Sequence, residues 1–475
     1  MHLRATGLLS LLASAASAAP ASASAEDKRS IVDRDGILHN VFEHAATGAK
    51  MDFVQNSGIC ETTPGVNQYS GYLSVGDNKH MWFWFFEARN NSNTAPLAAW
   101  FNGGPGCSSM IGLFQEHGPC HFVNGEKMPS LNEYSWNNEV NMIYIDQPIG
   151  VGFSYGNSEV DSTDAAAPYV WKLLQAFYAQ FPKYESRDFA VFTESYGGHY
   201  GPEFAHHIAQ QNAAIKSGSI KGDHIDLVAL GVNNGWFDAG IQEKAYIDYS
   251  YNNTYRQIIT KEEKSEYMEA YRQSCLPAIQ NCPKNGGDLA CVNANQVCLN
   301  TIQSPLTNEA DFNVYNIRCP SGKGGPPSTY KSYLQDEKVM KAIGAKSDYV
   351  ECSSIVGRHF QSTGDNSRTF LPELSKVVQS GITVLVWAGD ADWICNWMGN
   401  EYAAEAISFA GQQELQSKKM DPYTVDGTQK GTFKVVDNFS FLRVFEAGHM
   451  VPFYQPEASL QVFNQIMHKR PISST

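Results

Sequence analysis

The residues that could do chemistry begin with a serine in the middle of the chain. Residues 189–191 (FAV) form a short apolar run, and residues 192–198 (FTESYGG) follow it directly. A strand that breaks at a serine between small residues and then enters a helix is typical of a nucleophile elbow, whose sharp turn exposes the hydroxyl, here that of Ser195. Because a serine hydroxyl is barely ionised near neutral pH, Ser195 needs a base to act as a nucleophile.

An acid and a histidine follow the serine along the chain. Asp392 lies in the sequence GDAD, and His449 lies in AGHM. In this order, His449 is expected to take the proton of Ser195, and Asp392 is expected to orient the imidazole and stabilise its charged form. Asp390, the other acid of GDAD, is the alternative to Asp392.

A glycine-rich turn offers a place for negative charge to develop. Residues 102–106 (NGGPG) close a short apolar run that starts at Pro96. Glycines let the backbone approach a substrate closely, so the N–H of Gly104 is a candidate oxyanion donor. The second donor is the N–H of Tyr196, the residue after the nucleophile. In isolation the turn is an ordinary Gly/Pro turn, and the neighbouring elbow is what favours the catalytic interpretation.

Short apolar runs predict the elements that position these residues. Such runs end in Gly/Pro turns and are typical of buried parallel strands. The predicted strands cover residues 96–101, 141–145, 225–232, 382–388 and 439–445, preceded by an aromatic hairpin at 69–87. Asp164 is expected to cap a helix after the second of these strands, and a last helix is expected at 457–469.

The chain of 475 residues is long enough for one large domain with an insertion, or for two ordinary domains. Between Trp236 and about Asp311, strands disappear and cysteines cluster. We predict an insertion at 236–311 that covers the active site, between core parts at 30–235 and 312–475. An independent domain is disfavoured because Asp392 and His449 lie beyond the insertion and must return to Ser195.

The N-terminus has the pattern of a targeting segment. Residues 1–18 combine a short apolar stretch with an A-x-A cleavage site, which predicts a signal peptide and secretion, with a vacuolar destination left open. The stretch is too short to span a bilayer, so no membrane partner is expected. Residues 19–29 end in the pair Lys28-Arg29 and are interpreted as a pro-segment; the alternative is a solvated basic pair.

Composition narrows the class of partner. The net charge of −14 argues against nucleic-acid binding, which needs a basic surface. Ten cysteines in a secreted chain predict disulfides. Their spacing lacks a CxxC pair with a nearby histidine, so neither a metal nor an organic cofactor is expected. Sequons at Asn90, Asn252 and Asn438 predict glycosylation.

Five motifs together resemble one family, the serine carboxypeptidases, and especially secreted fungal members related to carboxypeptidase Y. They are residues 100–109 (WFNGGPGCSS), 145–154 (IDQPIGVGFS), 194–198 (ESYGG), 389–392 (GDAD) and 448–452 (GHMVP). The likeness covers about residues 50–470, and five motifs in this order are highly specific. Thr193 departs from the pattern, since the family usually has glycine there.

The resemblance implies an α/β-hydrolase fold with a mostly parallel central sheet and an inserted, disulfide-containing cap. It also implies a serine-type carboxypeptidase that acts through an acyl-enzyme on peptides and proteins with a free C-terminus. An acyltransferase or esterase on the same scaffold is the alternative enzyme, and a hydrolase-like binding protein is the alternative without activity. Side-chain preference and oligomeric state are left open.

The resemblance further implies that Asn102 and Glu194 bind the terminal carboxylate of the substrate, with Glu116 hydrogen-bonded to Glu194. Two glutamates held close together raise one pKa, so the pair keeps a proton and does not repel a carboxylate. Activity is therefore expected to be strongest at acid pH. Met450 resembles a pocket residue for the side chain of the released amino acid.

Most of the predicted disulfides are implied by the same resemblance. Three of the pairs match family positions, namely Cys275–Cys298, Cys282–Cys291 and Cys107–Cys352. Cys60–Cys120 is expected as a further pair. Cys395 resembles a position that is a free thiol in carboxypeptidase Y, so Cys319 and Cys395 are either free or paired with each other.

Overall fold

The computed structural model describes residues 27–44, 48–284, 286–308 and 311–475. The predicted signal peptide at 1–18 lies outside the described residues, as does the predicted pro-segment up to residue 26. The strands of the described chain are β1 Lys28–Arg34, β2 Ile37–Glu43, β3 Lys50–Gln55, β4 Gln68–Gly76, β5 Lys79–Phe86, β6 Leu97–Phe101, β7 Cys120–His121, β8 Ser130–Leu131, β9 Asn141–Asp146, β10 Tyr155–Gly156, β11 Phe189–Glu194, β12 Leu227–Asn233, β13 Thr383–Gly389, β14 Asp421–Val425, β15 Thr428–Val436 and β16 Phe439–Val444. The basic pair of the predicted pro-segment thus begins β1.

One large sheet organises the molecule. Its strands follow the order β1-β2-β3-β4-β5-β9-β6-β11-β12-β13-β16-β15-β14, with β10 paired to β5. The six central strands, from β9 to β16, run parallel to one another. Antiparallel strands extend the sheet on both sides. Because the carboxyl ends of the parallel strands meet at one edge, the loops that follow them lie close together.

The helices of the described chain are α1 Met110–Gln115, α2 Thr163–Gln180, α3 Gly197–Lys216, α4 Ala239–Tyr251, α5 Lys261–Ala270, α6 Leu276–Gln280, α7 Asp288–Cys298, α8 Ser304–Asn308, α9 Thr329–Leu334, α10 Glu337–Ile343, α11 Ser354–Thr363, α12 Leu371–Gln379, α13 Trp397–Ala406, α14 Gln412–Ser417, α15 Val451–Tyr454 and α16 Pro456–Met467. Ser162, rather than Asp164, caps α2, since its side chain accepts from the N–H of Ala165; Asp164 lies in the first turn instead. Among the described residues, none of these helices combines the length and the apolar character needed to cross a bilayer.

The helices cover the sheet on both faces. Helices α2, α3 and α12 pack together on one face, and α1 and α16 lie on the other. Each face has its own apolar core, as expected for a sheet whose central strands are buried on both sides. The side chains of β11, the strand that leads to Ser195, are all buried, which matches its continuous apolar run.

A long helical segment is inserted between two neighbouring strands of the sheet. Strands β12 and β13 pair with each other, yet residues 234–382 separate them in the sequence. The described part of this segment contains helices but no strand, so it extends well past residue 311, where the predicted insertion ends. The predicted insertion was recognised by its unusual composition. The segment that contains α9 to α12 does not share that composition, so the prediction stopped short of it.

Four disulfides tie the chain together. They are the four predicted pairs, Cys60–Cys120, Cys107–Cys352, Cys275–Cys298 and Cys282–Cys291. Cys107–Cys352 joins the glycine-rich turn after β6 to the inserted segment. Cys319 and Cys395 are both free, which answers the question left open above.

Candidate active site

Ser195 lies in a tight turn between β11 and α3. Its φ is +64°, a left-handed conformation that residues other than glycine rarely adopt. The turn is held from both sides, because the N–H of Ser195 donates to the carbonyl of Asn233 at 3.0 Å and its carbonyl accepts from the N–H of Trp236 at 2.8 Å. This strained but supported turn is the geometry of a nucleophile elbow.

Thr193, the departure from the family pattern, fits the elbow. Its hydroxyl donates to the carbonyl of Gly197 at 2.9 Å. A Cβ at Gly197 would lie 2.5 Å from the Cβ of Thr193, and one at Gly198 would lie 2.4 Å from the nitrogen of Trp236. The two glycines therefore make room for the threonine and for the chain after β12, and the threonine in turn fastens the start of α3.

Asp392 and His449 form the acid–base pair. Nδ1 of His449 donates to Oδ2 of Asp392 at 2.8 Å, and both side chains are buried. The same oxygen accepts from the Asn234 side-chain amide at 2.9 Å and from the Cys395 N–H at 3.1 Å. Burial by itself lowers the pKa of His449, but the Asp392 carboxylate and, to a smaller extent, Glu194 raise it above its usual value.

Asp390, the alternative acid, is used elsewhere. Its Oδ2 accepts from Nη2 of Arg443 at 2.9 Å. Its Oδ1 accepts from the N–H of Glu446 at 2.9 Å and from the hydroxyl of Tyr255. These bonds fix the turn that carries Asp392, so the geometry selects Asp392 as the acid beside His449.

Cys395 lies at the centre of the site. Its Sγ is within hydrogen-bonding reach of the Ser195 hydroxyl, and burial, followed by the charges of Asp392 and Glu194, raises the pKa of the thiol well above its usual range. Among the described residues, Asp392, Cys395 and His449 are the group whose potential metal-ligand atoms come together, within 4.8 Å of one another. Asp392 accepts from His449 and from the N–H of Cys395, and the Cys395 thiol lies within reach of Ser195, an arrangement that matches an acid–base site.

The glycine-rich turn after β6 lies against the elbow. Gly104 has φ of +117°, and a Cβ there would lie 2.7 Å from the nitrogen of Cys107, so only glycine fits this turn. A Cβ on Gly103 would lie 2.3 Å from the nitrogen of Tyr196, which shows how closely the turn approaches the elbow. Within the described chain, the N–H groups of Gly104 and Tyr196 donate to no other backbone group. Both are free to bind an oxyanion.

Asp365, in the inserted segment, fixes the side chain of Tyr196, the residue whose N–H is the second of these donors. The hydroxyls of Tyr196 and Thr163 donate to its Oδ2 at 2.6 and 2.7 Å.

Asn102 presents its amide to Glu194 in a fixed orientation. Its Oδ1 accepts from Nε1 of Trp100 at 2.7 Å and from the N–H of Gly112 at 2.9 Å, so its Nδ2 must face the other way. There it donates to Oε1 of Glu194 at 3.2 Å. A Cβ at Gly112 would lie 2.2 Å from Nε1 of Trp100, so a glycine is needed for the indole to reach Asn102.

Glu116 and Glu194 are fully buried and within hydrogen-bonding reach of each other. Neither oxygen of Glu116 receives a well-formed hydrogen bond from any residue that the structure describes. Burial, followed by the neighbouring Glu194, raises the pKa of Glu116 well above its usual value. Burial also raises the pKa of Glu194, against the lowering by His449, Glu116 and Asn233. The pair therefore retains a proton more readily than two solvated glutamates.

A cavity of about 470 Å³ opens beside Glu116. Its lining combines apolar side chains, among them Phe114, Phe122 and Phe453, with polar ones such as His121 and Glu133. Met450, the predicted pocket residue, is half-buried at the start of α15 and is not among the lining residues. The residue of the GHMVP motif that lines this cavity is Pro452, two residues after Met450.

Two asparagines were missed from the sequence. Asn233 bonds to Glu194 and to the carbonyl of His449, and Asn234 bonds to Asp392. They follow the predicted strand at 225–232, next to the strand of the elbow. Polar residues at the carboxyl end of a parallel strand beside the nucleophile are the signal that could have identified them.

The predicted sequons differ in exposure. Asn90 and Asn252 are exposed. The side-chain nitrogen of Asn438 already donates to the carbonyls of Val378 and Ile382, at 2.9 and 2.6 Å. In the folded chain its amide is therefore engaged in structural bonds.

Comparisons with known proteins agree with this geometry. The family model of the serine carboxypeptidases matches residues 58–469. The chain is 66% identical over 423 residues to carboxypeptidase S1 of Penicillium janthinellum, covering 89% of this chain and 100% of that protein. It is 39% identical over 414 residues to carboxypeptidase Y of Schizosaccharomyces pombe, covering 84% of this chain and 41% of that protein.

A solved structure has the same fold. It is that of Kex1, a prohormone-processing carboxypeptidase from Saccharomyces cerevisiae, with a TM-score of 0.72 and 24% identity over 85% of this chain and 91% of that one. The predicted α/β-hydrolase fold is thereby confirmed.

Proposed function

The chain belongs to the serine carboxypeptidase family and is a serine-type carboxypeptidase, and we propose that it removes C-terminal residues through an acyl-enzyme on Ser195, best at acid pH and outside the cell. The observation that carries the proposal is the buried Glu116–Glu194 pair, held beside the amide of Asn102. An ordinary esterase or acyltransferase site has no need of such a pair.

The proposed chemistry begins with Ser195. Its oxygen attacks the carbonyl carbon of the last peptide bond while His449 takes its proton. The N–H groups of Gly104 and Tyr196 hold the oxyanion. His449 then gives the proton to the leaving amine, and the C–N bond breaks. Water attacks the resulting ester in the same way, losing a proton to His449, and Ser195 regains its proton as the new C-terminus leaves.

The terminal carboxylate of the substrate is proposed to bind between Asn102 and Glu194. The Asn102 amide is oriented by Trp100 and Gly112 before any ligand arrives. When the glutamate pair is protonated, it donates a hydrogen bond to the carboxylate instead of repelling it. Met450 remains the proposed pocket residue for the side chain of the released amino acid.

The proposed pH dependence has two limbs. Binding of a free carboxylate is present while the glutamate pair is protonated and is lost as the pH rises through its raised pKa. Catalysis on any substrate needs neutral His449 and is lost as the pH falls through the raised pKa of that histidine. Because Glu194 contributes to raising the pKa of His449, protonation of the pair relieves part of that rise and extends catalysis toward acid pH.

Secretion is proposed from three features. They are the predicted signal peptide, the four disulfides and the exposed sequons at Asn90 and Asn252. Disulfides of this kind persist in oxidising compartments. A vacuolar destination meets the same description.

The test uses one peptide in two forms, with a free and with an amidated C-terminus, over a range of pH. We expect the free-acid form to be shortened much faster at acid pH, and the difference to shrink as the pH rises. A protein that shortens both forms equally, and best in alkaline buffer, would contradict the proposal.

A further inference from the structure

Asn233 links the carboxylate site to the catalytic histidine. It is the last residue of β12 and the register partner of Glu194, the last residue of β11. Its Nδ2 donates to Oε2 of Glu194 at 2.9 Å and to the backbone carbonyl of His449 at 2.9 Å. Because both partners are acceptors, the amide cannot turn over without losing both bonds.

The remaining atom of this amide has no partner. Oδ1 of Asn233 is buried and accepts no hydrogen bond from any described residue. Burying an unpaired acceptor is unfavourable, and an apolar side chain of the same shape would avoid it. Packing therefore does not explain why an asparagine occupies this position, and the two donated bonds do.

The bond to Glu194 distinguishes the two oxygens of that carboxyl group. Oε2 accepts from Asn233, whereas Oε1 lies 3.2 Å from Nδ2 of Asn102. Both oxygens thus accept from a side-chain amide, and the shorter of the two bonds fixes Oε2 on the side of Asn233. Oε1 is therefore the oxygen that lies nearest to a ligand bound beside Asn102.

We propose that Asn233 is a positioning residue of the carboxylate site, whose amide holds Oε2 of Glu194 so that Oε1 meets the terminal carboxylate of the peptide. The inference rests on the proposed function of Asn102 and Glu194. Without this amide, Glu194 loses the shorter of the two bonds that orient its carboxyl group, and only Asn102 then holds Oε1 beside the substrate. The residue acts through Glu194 rather than by touching the reacting atoms.

The neighbouring Asn234 provides a matched control. Its Nδ2 donates to Oδ2 of Asp392 at 2.9 Å, and its Oδ1 accepts from the N–H of Gly389 at 2.9 Å. It therefore serves the acid of the triad and not the glutamate pair. Leucine has a shape similar to that of asparagine but carries no amide. Asn233→Leu therefore removes an amide beside the glutamate pair, and Asn234→Leu removes one beside the acid of the triad.

The experiment measures kcat and KM for the free-acid and amidated peptide, per active site titrated with a serine-directed fluorophosphonate. For Asn233→Leu we expect KM for the free-acid peptide to rise about tenfold, the size of one lost hydrogen bond to a charged group, with little change for the amide. For Asn234→Leu we expect kcat to fall by a similar factor on both peptides.

The pH profile gives a second readout. The Asn233 amide is one of the groups that lower the pKa of Glu194 against the rise caused by burial. Asn233→Leu should therefore move the alkaline limb for the free-acid peptide to higher pH, which a purely structural change would not do.

Equal losses on both peptides with an unchanged alkaline limb would overturn the role of Asn233. So would failure of both Asn233→Leu and Asn233→Ala to fold, since the amide would then be required by the fold. Asn102→Ala separates the two levels of the argument. If Asn102→Ala also affects both peptides equally, the proposed carboxylate site is wrong. If Asn102→Ala affects mainly the free-acid peptide and Asn233→Leu does not, only the role of Asn233 is wrong.

Discussion

Two pairs of buried side chains face each other in this site, and they are built in opposite ways. Oδ2 of Asp392 receives three hydrogen bonds, from His449, Asn234 and Cys395. The oxygens of Glu116 receive no well-formed hydrogen bond within the described part of the chain. Donors favour an ionised carboxylate, and their absence in a buried site favours a protonated one. Both acids are buried, so the difference between the two pairs lies in the hydrogen-bond donors that surround them.

The two pairs should therefore fail in different ways. Damage to Asp392–His449 removes the base that every substrate needs. Damage to Glu116–Glu194 removes only the attraction for a free carboxylate. A pair of peptides that differ only in an amidated C-terminus separates the two effects, so each variant below is judged on both.

The largest effect is expected for Asp392→Asn. An asparagine can turn its amide nitrogen toward His449, which then loses the acceptor that fixes its tautomer and stabilises its charged form. We expect kcat to fall by about 10⁴ on the free-acid and the amidated peptide alike. Steady-state kinetics on both peptides measure it.

Asp390→Asn is the control for this change. It alters the same type of side chain two residues away, where Asp390 is bonded to Arg443, Tyr255 and Glu446 instead of to the histidine. A much smaller loss of kcat is expected. If the two variants lose activity equally, the assignment of the acid to Asp392 is wrong.

The catalytic residues themselves could be predicted from the sequence. Ser195, Asp392 and His449 each follow closely on an apolar run, and such runs predict strands from local pattern alone. The strands predicted at 382–388 and 439–445 correspond to β13 Thr383–Gly389 and β16 Phe439–Val444. In a parallel sheet, strand ends at one edge bring distant residues together without further information.

The supporting residues were not accessible in the same way. Asn233 and Asn234 bond to partners 39 and 158 residues away, so their place at the end of a predicted strand marks them as candidates but does not identify those partners. The cap of α2 fails for a different reason, because Ser162 and Asp164 are both suitable acceptors and only the exact start of the helix decides between them. Glu116 needed the family resemblance, since a lone glutamate after a short helix has no distinctive pattern.

An intermediate effect is expected for Asn102→Ala. The change removes an oriented donor that faces the proposed site of the terminal carboxylate. A hydrogen bond to a charged group contributes about 1.5–3 kcal/mol, so KM for the free-acid peptide should rise roughly 10- to 100-fold. The amidated peptide is the control, and its KM should change little. A similar rise for both peptides would assign Asn102 to a general structural role.

The smallest and most diagnostic effect is expected for Glu116→Gln. Glutamine is neutral at every pH and its amide can still donate to Glu194, so it imitates the protonated state of Glu116. In the native protein the raised pKa means that Glu116 is protonated at acid pH and gains charge as the pH rises through that pKa, which repels the substrate carboxylate. At acid pH the variant should therefore stay within a few-fold of the native kcat/KM, roughly 1 kcal/mol or less of lost stabilisation.

The pH profile of this variant tests the comparison most directly. Toward alkaline pH, kcat/KM of Glu116→Gln on the free-acid peptide should fall less steeply than that of the native protein, because one of the two titrating groups is gone. The amidated peptide should show the same profile in both proteins, since its limb at low pH belongs to His449. An unchanged alkaline limb on the free-acid peptide would mean that Glu116 is not the group that titrates, and the contrast between a donor-rich and a donor-poor acid would lose its functional meaning.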